Sequence, residues 1–182
     1  MLRTFHDISR FTVGTIGEPG DRSFWIQARS GNVLIGLAVE KSQVAVLGER
    51  LAAMLKEIAA AHPLLPSPAT EKDSLPLETP IFGEFRVGSI ALFYDEDSGL
   101  IQIDFREITV RDEGDQDELF QVDSPLLDDL QIVRIFISRS QAKGFSERAA
   151  LVVKAGRQPC PFCSLPINPD GHICSRANGY RR

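Results

Sequence analysis

The stretch "SFWIQARSGNVLIGLAVEKSQVAVLGERLAAMLKEIAAAHP", residues 23–63, changes its hydrophobic period halfway along. The first half is rich in β-branched and aromatic residues and is broken at Ser30-Gly31-Asn32, the pattern of two antiparallel strands around a turn. Farther on, Val44, Leu47, Leu51, Met54, Leu55 and Ile58 recur at i, i+3, i+7, i+10, i+11 and i+14. That spacing places them on one stripe of a helix. Ser42 is the expected N-cap, since its hydroxyl can accept from a free first-turn N–H. His62-Pro63 ends the helix, because proline disfavours α geometry in the residue before it. A further strand candidate, "FTVGTIG" (11–17), stands upstream with the turn signal "GEPGD" (17–21) behind it. Residues 1–62 therefore read as a βββα unit.

Downstream, "HPLLPSPATEKDSLPLETP" (62–80) holds five prolines and little periodicity. It reads as an extended surface connector, residues 63–80. The strand-helix pattern then returns. "FRVGSIALFYDEDSGLIQIDFREITV" (85–110) reads as a hairpin turning at "DEDSG", and "LQIVRIFIS" (130–138) as a further strand. "SQAKGFSERAALVVKAG" (140–156) is a helix with Ala142, Phe145, Ala149, Val152 and Val153 on its apolar stripe, the first stripe displaced by 98 residues. Letters repeat as well as periods. "FTVGTI" (11–16) matches "FRVGSI" (85–90), and "SQVAVLGERLA" (42–52) matches "SQAKGFSERAA" (140–150) at Ser-Gln, Glu-Arg and the last alanine.

These matches predict an internal duplication, with residues 1–62 and 81–156 as two βββα units. The first match is offset by 74 residues and the second by 98, so the second unit carries an insertion, placed in the acidic stretch 111–129. The expected fold is α+β: about six mainly antiparallel strands with two helices on one face, the units related by a pseudo-two-fold axis.

At the end of the chain, "CPFCSLPINPDGHIC" (160–174) contains all three cysteines and one of three histidines. The spacing Cys160-x2-Cys163-x8-His172-x-Cys174 offers three thiolates and an imidazole, a ligand set suited to tetrahedral Zn²⁺. Pro161 stiffens the first turn, and Gly171 supplies freedom in φ just before His172. A closed four-ligand site has no open position, so the zinc is expected to be structural, stapling a short knuckle-like loop within residues 157–182. A redox Cys-x-x-Cys and a metal-free loop remain as alternatives. Prolines surround the pair where a thioredoxin-like motif would open a helix, and an iron–sulfur site would call for a fourth cysteine. His6 and His62 read as surface or capping residues.

The charge is uneven. Residues 1–138 carry 12 Lys and Arg against 23 Asp and Glu, while residues 139–182 carry 8 against 2. The acidic body argues against wholesale coating of nucleic acid. The basic end, with Arg176, Arg181 and Arg182 around Tyr180, could hold an anionic partner or base, or simply be a solvated tail. No apolar run reaches the roughly 20 residues needed to span a bilayer, and "MLRTFHDISRFTVG" has no hydrophobic signal core, so a cytoplasmic location and no membrane partner are expected. No Ser-His-Asp set or phosphate loop is visible, and the carboxylates of "YDEDSG" (94–99) read as turn formers.

"FTVGTIGEPGDRSFWIQA" and "CPFCSLPINPDGHICSRANGYRR" resemble a bacterial family known only as a domain of unknown function, DUF3090, and the likeness spans nearly the whole chain. The resemblance implies a cytoplasmic bacterial protein with zinc ligands at Cys160, Cys163, His172 and Cys174, and implies no activity. Ser164 departs from zinc knuckles that carry glycine after the second cysteine, and is expected to need a left-handed backbone. Three functions follow as expectations. The first is a non-enzymatic binding or adaptor protein with an unknown protein partner. The second is a small-molecule-binding or enzymatic domain with its pocket at the junction of the units, lined by Arg29, Arg86 or Arg106. The third is a nucleic-acid-associated factor using the basic end.

Overall fold

The computed structural model describes residues 1–18, 21–108, 130–155, 160–164, 167, 171, 173, 174 and 176. Strands β1 (Leu2–Phe5), β2 (Ile8–Ile16), β3 (Ser23–Ser30) and β4 (Val33–Val39) lead into helix α1 (Lys41–Ala61). Strands β5 (Phe85–Asp95), β6 (Leu100–Glu107) and β7 (Ile132–Ile137) lead into helix α2 (Arg139–Lys154). The fold is α+β, as expected. The strands form one seven-stranded sheet in the order β1-β7-β6-β5-β4-β3-β2. Each half is an antiparallel meander, but the pairings of β4 with β5 and of β1 with β7 are parallel, so the sheet is mixed.

Strand β1 was not anticipated: Leu2–Phe5 is four residues long, with charged and polar side chains between its apolar ones. Its position bends the whole sheet. β1 and β2 stand at opposite ends of the strand order, yet only His6 and Asp7 separate them. Three virtual bonds of 3.8 Å limit the Phe5–Ile8 distance to about 11 Å. The sheet must therefore curl until its two edges approach, and β2 does meet β7 across the gap. Because β4 pairs parallel with β5, the second meander follows the first with the same polarity. With that polarity, any two-fold axis relating the meanders would have to run along the strands, through the curl, and not normal to a flat sheet. The acidic insertion at 111–129 lies outside the described residues.

Alternation sorts the strand residues. Phe11, Val13, Ile26, Ala28, Ile35, Leu37, Ile101, Ile103, Phe105, Val133, Ile135 and Ile137 are all buried in one core that runs through both halves. The helices complete it. Phe145 of α2 stacks on Phe11 at 4.4 Å between ring centroids. The helices also pack on each other, where the Ser146 hydroxyl donates to the Gly48 carbonyl at 2.7 Å. Their starts differ from expectation in one respect. Helix α1 begins two residues earlier than an N-cap at Ser42 allows: Glu40 is its N-cap, and the Gln43 side chain accepts from the Glu40 N–H at 2.9 Å. In α2 the Ser138 hydroxyl caps the Gln141 N–H, and the Gln141 side chain accepts in return. Reciprocal pairing of this kind satisfies two of the orphan donors at a helix start. His62 is the C-cap of α1, as the following proline requires.

The proline-rich connector is a strap fastened across the first meander. Arg10 Nε and Nη2 hold the Asp73 carboxylate at 2.7 and 3.2 Å, and Nη2 also reaches the Leu75 and Pro76 carbonyls. Arg29 pairs with the Glu78 carboxylate. The buried Gln27 amide exchanges two hydrogen bonds, of 2.9 and 2.8 Å, with the Glu78 backbone. Burial works against the charged form of Asp73, but the hydrogen bonds and charge of Arg10 outweigh it and hold the carboxyl below its usual range.

Helix α2 has Gly144 where the strap crosses it, and an added Cβ would overlap the Glu71 carbonyl. Helix propensity alone would favour Gly144→Ala by about 1 kcal/mol, whereas overpacking against fixed backbone costs about 1–3 kcal/mol. The substitution is expected to lower the urea midpoint; a gain in stability would show that the strap does not press on α2.

Candidate metal centre

The three cysteines converge. Their sulfurs lie within 4.8 Å of one another, and Cys160 Sγ is 3.8 Å from Cys174 Sγ. Zn–S bonds of about 2.3 Å at tetrahedral angles put the sulfurs roughly 3.8 Å apart, whereas a disulfide would need about 2.05 Å. Cys160 and Cys174 are buried and Cys163 half-buried.

Local backbone explains the convergence. Residues 161–163 form a tight turn closed by the Ser164 N–H donating to the Cys160 carbonyl at 2.8 Å. Ser164 sits at φ 62°, the left-handed conformation expected there, and Gly171 uses its freedom in φ at 83°. Arg176 Nη1 donates to the Phe162 carbonyl at 3.3 Å, which ties the chain two residues after the last cysteine back to the first turn. Of the other anticipated residues, His172, Tyr180, Arg181 and Arg182 lie outside the described residues.

The electrostatics favour a metal-binding thiolate. Burial pushes the Cys160 thiol up, but the N–H groups of Cys163 and Phe162 and the neighbouring thiols outweigh it and bring its pKa down to about 6. The thiolate is the ligand form of cysteine, so this turn is set for a cation before one arrives.

Two of the three arginines suggested by the sequence as pocket markers, Arg29 and Arg86, serve other roles. Arg29 is bound to Glu78, and Arg86 is paired with Glu40 at 2.5 Å. A groove of about 460 Å³ does lie near the junction of the halves, between α1 and β5, but its charged lining residues are Arg50 and Glu57. Sequence reasoning missed both. The signal was available in the Glu-Arg match that pairs Arg50 with Arg148.

Residues 3–174 match the model of a family described as a protein of unknown function, DUF3090. The chain belongs to that family. No curated protein and no solved structure matches it. Among the described residues, no helix is long and apolar enough to cross a membrane.

Two outcomes test the centre. A thiol depressed to about 6 keeps its charged form above that value and loses it as pH falls through it. Thiolate absorbance at 240 nm in metal-free protein should therefore fall with a midpoint near pH 6; a single step in the ordinary thiol range would remove the argument. Left-handed backbone costs a non-glycine residue about 1–2 kcal/mol, part of it offset by the greater unfolded-state freedom of glycine. Ser164→Gly should accordingly tighten metal binding by roughly two- to fivefold in chelator competition, and weaker binding would contradict the strain.

Proposed function

We propose that this DUF3090 protein is a non-enzymatic binding protein of the cytoplasm, a duplicated α+β body with a zinc-stapled C-terminal segment and a protein partner. The observation that carries the metal is the thiol triad, with its 3.8 Å sulfur–sulfur edge. His172 is the fourth ligand on this reading, because imidazole completes a closed set with three thiolates and the spacing supplies it two residues before Cys174. A closed set presents no open position for a substrate, so the zinc acts by folding the segment. The duplication is supported by the order of elements, three meander strands and a helix twice in succession, and by the two helices packing on each other.

A second reading, a small-molecule site, draws on the groove between α1 and β5, whose 460 Å³ falls in the range of ligand pockets. Capture of a defined protein from native cytoplasm would favour the binding protein; a metabolite retained through purification would favour the pocket.

Protein prepared without chelators should carry about one zinc per chain on the single-site reading. Iron, or no metal, by elemental analysis would refute it. Cys163→Ser removes one thiolate and should release the zinc, leaving residues 157–182 open to protease. The circular-dichroism signal and cooperative melt of residues 1–155 should persist, since that body has its own core. Global unfolding of the variant would mean that the metal holds the whole fold.

A further inference from the structure

Helix α2 runs along the free edge of β2. Gln141 Nε2 donates to the Ile8 carbonyl at 2.7 Å, Arg148 Nε donates to that of Val13 at 2.6 Å, and Arg22 closes the far end on the Val152 and Ala155 carbonyls. The strap crosses this pair. The Glu71 carbonyl sits over Gly144, and Leu77 covers Gly14, its Cγ 2.6 Å from where a Cβ would stand. The remaining nitrogens of Arg148 donate to the carbonyls of Asp73 and Leu75.

Helix α1 runs along β5 in the same sense. Gln43 Nε2 donates to the Val87 and Gly88 carbonyls at 2.9 and 3.2 Å, and at the other end His62 Nε2 lies 3.9 Å from Glu96. Between these ends lies the 460 Å³ groove, lined by Val46, Arg50, Met54, Gly88, Ile90 and Leu92 among others. β4 pairs with β5 only at Phe85 and Arg86. From Val87 to Asp95 the edge of β5 away from β6 therefore has no strand partner among the described residues. The sequence matches turn Gly144 into Val46, Arg148 into Arg50 and Gly14 into Gly88. Three of the residues that meet the strap, Gly14, Gly144 and Arg148, thus have counterparts lining the open groove. Val46 is 57 % exposed, and neither Arg50 nor Glu57 makes a hydrogen bond or ion pair with a described residue.

We propose that the groove between α1 and β5 docks an extended segment of a partner protein, held as the chain holds its own strap against α2 and β2. An unpaired strand edge selects an extended main chain, since alternate N–H and C=O groups at strand spacing match no helix or lipid. Carbonyls of the segment accept from Arg50, as those of Asp73 and Leu75 accept from Arg148. Alternate apolar side chains cover Val46, Ile90 and Leu92, and a basic side chain faces Glu57. Val46 in place of Gly144 keeps the segment farther from the helix and leaves room for those side chains. The proposal rests on the binding-protein reading and on the duplication, not on the metal.

The test is selection of random dodecapeptides displayed on phage against the full-length, zinc-loaded chain. Enriched peptides should alternate apolar and polar residues, and a synthetic copy of the best should slow hydrogen exchange at alternate amides of residues 89–94. Val46→Asp and Arg50→Ala, both at exposed positions, should each weaken that peptide at least tenfold with unchanged thermal melts, while Cys163→Ser should not weaken it. No enrichment, enrichment of helical periodicity, or indifference to both substitutions would overturn the proposal. So would a dimer of the protein that Val46→Asp dissociates, because a second copy would then fill the groove. A native partner that still binds the Val46→Asp protein would remove the groove while leaving the binding-protein reading intact.

Discussion

The guanidinium of Arg148 holds three parts of the chain at once: the edge carbonyl of Val13 in β2, and the strap carbonyls of Asp73 and Leu75. A proline-rich segment cannot satisfy its own carbonyls by forming a helix or a sheet ladder, so it needs donors from elsewhere. Arg148 supplies them from the helix side and Arg10 from the strand side. Both face the Asp73 carboxylate, which keeps two half-buried cations compensated. Losing one member of such a set is costly because the remaining charges stay behind without a partner. Through this cluster the free edge of β2 is covered, the strap is fixed, and α2 is located on the curled sheet.

The same cluster explains what the sequence could and could not disclose. Helix and strand positions follow from local periodicity, and the period switch near residue 42 was readable from side-chain spacing alone. The cysteine turn was readable because ligand chemistry restricts spacing, and because Ser164 and Gly171 announce their backbone conformation. The strap was not readable. Its composition is that of a surface linker, and the residues that pin it, Arg10, Arg29, Gln27 and Arg148, are separated from it by between 49 and 75 positions. Strand β1 escaped notice for a similar reason: four residues have too little pattern to declare a strand whose partner lies at Ile132–Ile135. The cap at Glu40 was missed because a serine two residues on offered the more familiar signal.

Where the two halves differ, the differences are instructive. Gly14 and Gly144 make room for backbone and Leu77 where the chain crosses its own surface. At the matching helix position the other half keeps a valine, with no crossing segment over it among the described residues. A repeated unit can thus spend one copy of a surface on internal bracing and leave the other exposed.

The pairing of β1 with β7 also bears on how the chain comes to be folded as it is made. Leu2 finds Ile132, and Phe5 finds Ile135. Residues emerging from a ribosome at roughly 5–20 per second leave the first strand waiting on the order of ten seconds for its mate. The first meander, α1 and the second hairpin can assemble in that interval, but the sheet cannot close. Closure by such distant contacts is slow in general, and the nascent chain presents an unpaired strand throughout the wait. The closing pair joins strands 130 positions apart in the chain, so a ribosome stalled before residue 132 would carry a chain that can curl but never shut.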